Sequence, residues 1–336
     1  MNLEQLAKSC EINESLGRLI ELYCMDAPTE NEIEDWFSTV DFEALRPEAS
    51  CMAAAMADKN GCCGVQKTLI PRLEGIKRYV YTLNWGMTAG LCALGRQLAK
   101  EGTIAYLCDG TAVHFGCCEP PKRQIWQMQI GVCGDLQRLA DIAERAGFEV
   151  SATPYTLVCK NKSSQCVLVK RLEKPFERAK TVAVGSTQLL LPDASLVLIS
   201  LANVGFELLR DMKQGEKLLP WIMDMHCVIR GITDWQQVSL DAKRQSACER
   251  VRLMLELYGY LAPDALPTGV TALFGNEKKV KRLIKLLIEY RSLENHRLRR
   301  LWVLSKITSH GSLLATLKAF FGAFSLSLRV RLTRRN

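Results

Sequence analysis

The sequence has no Cys-x-x-Cys pair, although its 336 residues include 14 cysteines, and it has only four histidines. The adjacent pairs Cys62-Cys63 and Cys117-Cys118 lack zinc-ligand spacing, which sets the common structural zinc modules aside. The thiols read as free in a reducing compartment, so a cytoplasmic location is expected. The stretch from Met1 to Tyr23 alternates charged and apolar residues. It lacks the basic n-region and apolar h-region of a signal peptide, so export is not expected. No internal repeat or low-complexity stretch is present either, which sets repeat architectures aside.

What is present suits an ordinary folded chain, long enough for two or three packed domains. Hydrophobic residues make up 48% and charged residues 24%, a globular and not a disordered balance. The net charge of +8 is unevenly placed: Glu277 to Asn336 carries 15 Lys and Arg against 3 Glu, or +12. The first 276 residues carry 29 basic and 33 acidic residues, or −4. The positive charge is therefore a local feature suited to an anionic contact.

Apolar periodicity predicts helices over the first hundred residues, with Leu16, Ile20 and Tyr23 on one face. Val80, Leu83, Met87, Leu91, Leu94 and Leu98 mark a long helix from about Ile76 to Lys100. The pattern changes at Gly102. Thr103–Cys108 is a short apolar run followed by Asp109-Gly110-Thr111, a turn with helix-start chemistry. Ile125–Val132 alternates as a strand does, and Asp135–Gly147 is a helix closed by its glycine. Strands are predicted at about Tyr155–Lys160 and Cys166–Arg171, giving a small sheet over roughly 102–172. From Phe176 onward the pattern reads as helical, through Leu196–Leu209, Leu218–Arg230, Asp234–Tyr260 and Lys278–Lys306.

The central order is strand, Gly-containing turn, helix, Pro-rich loop, Arg, alternating strand, then a helix closed by Gly-Phe. It resembles the uncharacterised bacterial nucleotidyltransferase family of the polymerase-β-like superfold. In that comparison Asp109-Gly110 stands at a Lys-Gly, Cys118-Glu-Pro-Pro121 at a Pro-containing loop, and Arg123 at an Arg. Gln127-Met-Gln-Ile-Gly-Val132 stands at an Asp-x-Asp strand, and Gly147-Phe148 closes the helix. Asn84, Trp221–His226, Thr233-Asp234-Trp235 and Leu257-Tyr258-Gly259 extend the likeness over about 75–265. The resemblance implies an α+β fold, a small mixed sheet flanked by helical N- and C-terminal regions. The corresponding division is 1–101 helical, 102–175 nucleotidyltransferase-like core, 176–275 helical and 276–336 basic and helical.

The departures fall where the chemistry would be. Nucleotidyl transfer uses two divalent metals, and Mg²⁺ demands hard, preferably anionic oxygens. The two strand acids are replaced here by Gln127 and Gln129, whose amides bring no charge. At an effective dielectric near 20, one charge pair at 4 Å is worth roughly 4 kcal/mol before desolvation, and about double for a divalent ion. The later strand, Cys166–Arg171, has no acid where a third carboxylate is implied. Asp109 replaces a lysine and reverses the charge offered to a phosphate. No catalytic residues, metal or cofactor are therefore expected, although the family implies Mg²⁺.

The retained residues have two readings each. Gly110 and Thr111 either cradle a phosphate at a helix N-terminus or simply cap the helix. Arg123 binds an anion or forms an ion pair, and these three are the candidate ligand-binding residues. His114 and His226 read as structural histidines, and Trp126 and Trp235 as core. A weak or altered transferase using Asp109 with Glu119 as a substitute acidic pair is the rival reading, disfavoured because the sequence gives the two no special geometry. Near the C-terminus, Val280, Leu283, Ile284 and Leu287 form one apolar stripe beside Lys278, Lys279, Lys281, Arg282 and Lys285. A second stripe runs from Leu313 to Leu328 and is followed by Arg329, Arg331, Arg334 and Arg335. Gly311–Leu328 reaches the lower edge of membrane-spanning length. The readings are packing onto the helical domain, an interfacial anchor on anionic lipid, or a span.

The leading expectation is a non-catalytic binding or regulatory protein with an unidentified protein partner. The resemblance places it near surface-polysaccharide or peptide-modification pathways. Nucleotide binding is expected to be weak. Nucleic-acid binding is disfavoured, because the basic charges flank apolar stripes and lack interleaved exposed aromatics.

Overall fold

The N-terminal helices begin where their capping chemistry says they should. Asn2 and Gln5 form a capping box on α1 (Leu3–Ser9), Asn13 caps α2 (Glu14–Cys24), and Thr29 with Glu32 boxes α3 (Glu30–Thr39). These elements belong to a computed structural model that describes residues 2–116, 123–125, 127–153, 156–162, 166–211 and 215–292. Pro47 opens α4 (Pro47–Lys59), in which every residue from Cys51 to Ala57 is buried. Small Ala side chains let α2, α5 (Ile70–Lys100) and α9 (Leu219–Arg230) approach it from different sides. On α5 the predicted stripe of Val80, Met87, Leu91, Leu94 and Leu98 is buried, with Leu83 half-buried.

A mixed seven-stranded sheet follows. In chain order it comprises β1 (Ala105–Leu107), β2 (Met128–Val132), β3 (Glu149–Ala152), β4 (Thr156–Lys160), β5 (Cys166–Arg171), β6 (Ala179–Val184) and β7 (Thr187–Pro192). The spatial order is β3-β4-β5-β2-β1-β7-β6. β2 runs parallel to β5 and antiparallel to β1, and β1 runs parallel to β7. Two short helices connect this sheet: α6 (Asp109–Gly116) after β1, and α7 (Leu136–Arg145), capped by Asp135, after β2. α5 and α7 pack against the strands.

The sheet extends beyond the predicted 102–172. The segment read as helical from Phe176 contains β6 and β7, which form a hairpin through Gly185-Ser186 with Val184 opposite Thr187. Gly185 is left-handed there, with φ of +53°. The hairpin joins the sheet beside β1, and Cys92 on α5 donates its thiol to the Val184 carbonyl at 2.9 Å. β3 also went unpredicted.

The last helices are α8 (Ala194–Asp211), α9, α10 (Trp235–Arg244), α11 (Cys248–Leu261) and α12 (Glu277–Ser292). The single helix predicted over Asp234–Tyr260 is broken between α10 and α11. Ser246 there takes φ of +52°, and Ala247 N–H donates back to Ala242 at 2.8 Å. α12 buries Val280, Ile284 and Leu287 against the rest of the protein and exposes Lys278, Lys279, Lys281, Arg282 and Lys285. Its Arg291 donates to the Ser9 carbonyl at 2.7 Å and to that of Leu209. One hydrophobic core runs without a break from Leu6 to Leu287. The class is α+β, as predicted. Among the described residues no helix is long and apolar enough to cross a membrane. The second C-terminal stripe and Arg329, Arg331, Arg334 and Arg335 lie outside the described residues.

Candidate functional site

β1 delivers the chain to Asp109, the first residue of α6, which takes a left-handed φ of +49°. Asp tolerates that region better than most residues, and the turn is locked on both sides. Cys108 N–H donates to the Gln129 carbonyl at 3.0 Å, and the Cys108 carbonyl accepts from Thr111 and Ala112 at 3.0 and 3.2 Å. The left-handed turn carries the Asp109 carboxylate into the interior, where the residue is 2% exposed. One carboxylate oxygen receives the Lys170 ammonium and the other the Ser200 hydroxyl.

The register of the parallel pair explains why lysine reaches this acid. Gln129 lies opposite Leu168 and Gly131 opposite Lys170. On β2 the alternation buries Met128, Ile130 and Val132 completely, which turns Gln127 and Gln129 to the other face. On β5, Val167 and Val169 are buried, leaving Leu168 and Lys170 beside the glutamines. A cavity of about 520 Å³ opens over this face, floored by Asp109, Gln127, Gln129, Leu168 and Lys170. α8 closes its far side with Ser200, Asn203, Val204, Glu207 and Leu208. Among the described residues, the amide oxygens Gln129 Oε1 and Asn203 Oδ1 are buried without a hydrogen-bond partner.

Next to it lies a second, sealed ion pair. Arg123 Nε and Nη2 grip the Asp224 carboxylate of α9 at 2.7 and 2.6 Å. Burial pushes the Asp224 carboxyl above the usual carboxylate range, and the guanidinium pulls it back. Asn84 on α5 clamps the approach to β2, donating to the Arg123 carbonyl and accepting from Ile125 N–H, both at 2.8 Å. A Cβ at Gly110 would meet the Arg123 guanidinium and the Asp224 carboxylate, so a larger residue there would push the ion pair aside.

The three candidate ligand-binding residues are thus brought together but committed internally. Arg123 is held by Asp224, with its side chain 11% exposed. Thr111 is 2% exposed, gives its N–H to Cys108, and accepts from Gln129 N–H at 2.7 Å. Gly110 packs under the ion pair. His226 accepts or donates through Nδ1 to the Tyr258 hydroxyl at 2.8 Å and stacks edge-on to Tyr23. Burial pulls its pKa down to about 4. His114, whose Nδ1 has no partner among the described residues, is also drawn down to about 4, by burial and then by the Arg123 charge. Trp235 is partly buried, edge-on to Phe274. Glu119, Trp126 and the Cys118–Pro121 loop lie outside the described residues.

Lys170, Ser200, Asn203 and Asp224 were not singled out from the sequence. Lys170 is visible there as the basic end of a strand, and Asp224 sits inside the Trp221–His226 segment. Nothing local distinguishes Ser200 or Asn203, which reach the site only through the packing of α8.

The donor set does not fit a pair of divalent metals. The strand positions facing the cavity offer two neutral amides, a leucine and an ammonium, the buried carboxylate of Asp109 is already matched by Lys170 and Ser200, and Glu207 on α8 is paired with Arg210. Among the described residues no three His, Cys, Asp or Glu gather as metal ligands would.

No family model matches the chain, and no curated protein matches it in sequence. In structure it is weakly similar to an antigenic nucleotidyltransferase-like protein from Paracoccidioides brasiliensis. The TM-score is 0.34 at 13% identity, over 51% of this chain and 91% of that one. A likeness of that size says nothing of chemistry, which rests on the residues themselves.

Proposed function

We propose that this protein is a non-catalytic binding module built on a nucleotidyltransferase-like core, and that it carries out no metal-dependent nucleotidyl transfer. The observation that carries the reading is the Lys170–Asp109 pair. An ammonium occupies the strand face where transfer chemistry needs anionic oxygen, and it is neutralised by the residue standing where a phosphate-binding lysine is implied. The signs of both positions are reversed together, so the pair is stable as a unit. The exchange leaves a charge-matched floor under the cavity, which suits recognition and not phosphoryl chemistry.

The test is a thermal melt series on the full chain with ATP, CTP, GTP or UTP, with and without millimolar Mg²⁺ or Mn²⁺. No shift that depends on metal and nucleotide together is expected. A rise of several degrees requiring both would overturn the reading, as would incorporation of label from an α-labelled nucleotide into any acceptor.

A further inference from the structure

We infer that the free edge of β6 is the contact surface of a two-fold dimer, in which this strand pairs antiparallel with β6 of a second copy, centred on Thr181.

Among the described residues the sheet ends at β3 on one side and at β6 on the other. An open row of N–H and C=O groups templates pairing, and natural edges are blunted by shortness, charge, proline or a bulge. β3 has four residues, begins with Glu149 and packs against α7. β6 has six residues, no proline, and Lys180 as its one charge. Its pairing with β7 runs without a bulge from Ala179 opposite Pro192 to Val184 opposite Thr187. Ala179, Lys180, Thr181 and Ala183 are exposed and Val182 is half-buried, so this edge is open to solvent.

The register fixes which main-chain groups are free. In a two-residue hairpin the flanking pair is hydrogen-bonded, and bonded and non-bonded pairs alternate from there. Val184 with Thr187, Val182 with Leu189 and Lys180 with Leu191 therefore exchange bonds inside the hairpin. The Asp193 N–H on the Arg178 carbonyl, at 3.1 Å, continues this inward set. Ala179, Thr181 and Ala183 turn their N–H and C=O groups outward. That set is self-complementary about Thr181. Thr181 meets Thr181 of the second copy and Ala179 meets Ala183 in both directions, giving about six main-chain bonds. The side chains on that face are small, and Thr with Thr is a favourable cross-strand pair. On the other face Lys180 lies opposite Val182, so no like charges stand directly opposite each other.

Charge matches the same alignment. It brings Glu177 to Gly185 of the second copy, beside Ser186, whose hydroxyl accepts from Arg96 at 2.9 Å. The Glu177 side chain is 73% exposed, and Arg244 of its own chain stands at 4.0 Å. Arg178, next to it, is committed to Asp241. The two-fold axis makes the Glu177–Arg96 contact twice, as an isologous interface requires. A strand from another protein would satisfy the main chain equally but has no reason to bring both charges, so the occupant is a second copy. One strand pair is a small interface of the weak, transient class, and the dimer should dissociate on dilution.

The experiment is sedimentation velocity on the full chain at low salt, with reductant present so that the exposed Cys63 and Cys133 do not cross-link copies. Wild type should pass from monomer to dimer between about 1 and about 200 µM, the range of a weak interface. Thr181→Pro removes an outward N–H and leaves the β6–β7 ladder bonded, as proline on a free edge does. It should melt as wild type does and stay monomeric throughout. Glu177→Arg and Arg96→Glu should each weaken the dimer at least threefold, and the double reversal should restore it. A wild type that stays monomeric at the highest concentration overturns the inference, as does a folded Thr181→Pro that dimerises like wild type. If the proline variant does not fold, the charge reversals decide. Single reversals that leave the dimer unchanged, or a double reversal no better than either single, then overturn it.

Discussion

Removing the ammonium from Lys170 would leave the Asp109 carboxylate, 2% exposed, with the Ser200 hydroxyl as its remaining partner. Lys170→Met should therefore cost at least about 1–3 kcal/mol, the range for stranding a buried neutral polar group, because the group left behind is charged. Adding Asp109→Asn should recover most of the loss, because a matched neutral pair replaces a matched charged one. Urea denaturation of the two single variants and the double variant measures this. A double variant no more stable than Lys170→Met would show that the pair is not a unit. The buried histidines make a second prediction at this scale. His226 has a folded pKa near 4 against about 6.5 when unfolded. A depressed pKa means the unfolded chain binds more protons between those values, so stability is complete above pH 6.5 and falls as pH drops toward 4. At full expression His226 contributes about 3 kcal/mol of that loss, at about 1.4 kcal/mol per pKa unit, and His114 acts in the same direction. Melting temperature should decline already between pH 6.5 and 5, above the ordinary carboxylate range, and less steeply in His226→Asn. An equal slope in wild type and variant would remove His226 from the account.

At the scale of elements, the parallel pairing of β2 with β5 predicts that restoring strand acids is not enough. Gln127→Asp with Gln129→Asp places two carboxylates on the cavity face, but Leu168 and Lys170 still stand beside them on β5. Lys170 would be drawn to the new acids and compete with any metal. The double variant should show no label transfer with Mg²⁺ or Mn²⁺, and turnover by it alone would mean that the β5 positions matter little. The same pair shows what could be read beforehand. Alternation placed Gln127 and Gln129 on one face, and period-two logic would have paired Lys170 with them, yet it was seen only as a strand's basic end. The β6–β7 hairpin carries a signal too, a Gly-Ser turn between Thr181–Val184 and the apolar run Leu189–Leu191. It was masked because Ala179–Ala183 is largely exposed and gives no apolar alternation. The break at Ser246-Ala247 had no proline or glycine to mark it. Asn203 and Ser200 are ordinary helix residues until α8 is laid over the sheet, and tertiary placement of that kind has no local signature. The two readings of Gly110, Thr111 and Arg123 could be separated only by knowing that Asp224, some hundred residues on, fills the space between them.

Across the whole molecule the charge is divided as no single element is. The described helix α12 already shows the arrangement, with its apolar stripe turned inward and Lys278, Lys281, Arg282 and Lys285 outward. Part of that charge is locally offset, since Lys281 pairs with Glu277 and Lys279 with Glu249 at 2.6 and 3.1 Å. From Leu293 to Asn336 the sequence adds nine Lys and Arg against a single Glu, so most of the +12 of the C-terminal sixty lies beyond α12. Basic residues near an anionic bilayer contribute about 1 kcal/mol each, so four engaged arginines would give measurable, salt-sensitive association. Deleting the C-terminal sixty residues would confuse the result, because they include α12, which holds Ser9 and Leu209 through Arg291. Replacing Arg329, Arg331, Arg334 and Arg335 with Gln is cleaner. Flotation with phosphatidylglycerol vesicles should fall in that variant and in high salt, while the melting curve stays in place. The apolar run from Leu313 to Leu328 is untouched by these substitutions, so residual salt-insensitive flotation would report burial of that run in lipid. A wild-type protein that does not float at low salt would remove the lipid contact altogether and leave the basic segment to a protein partner with an acidic face.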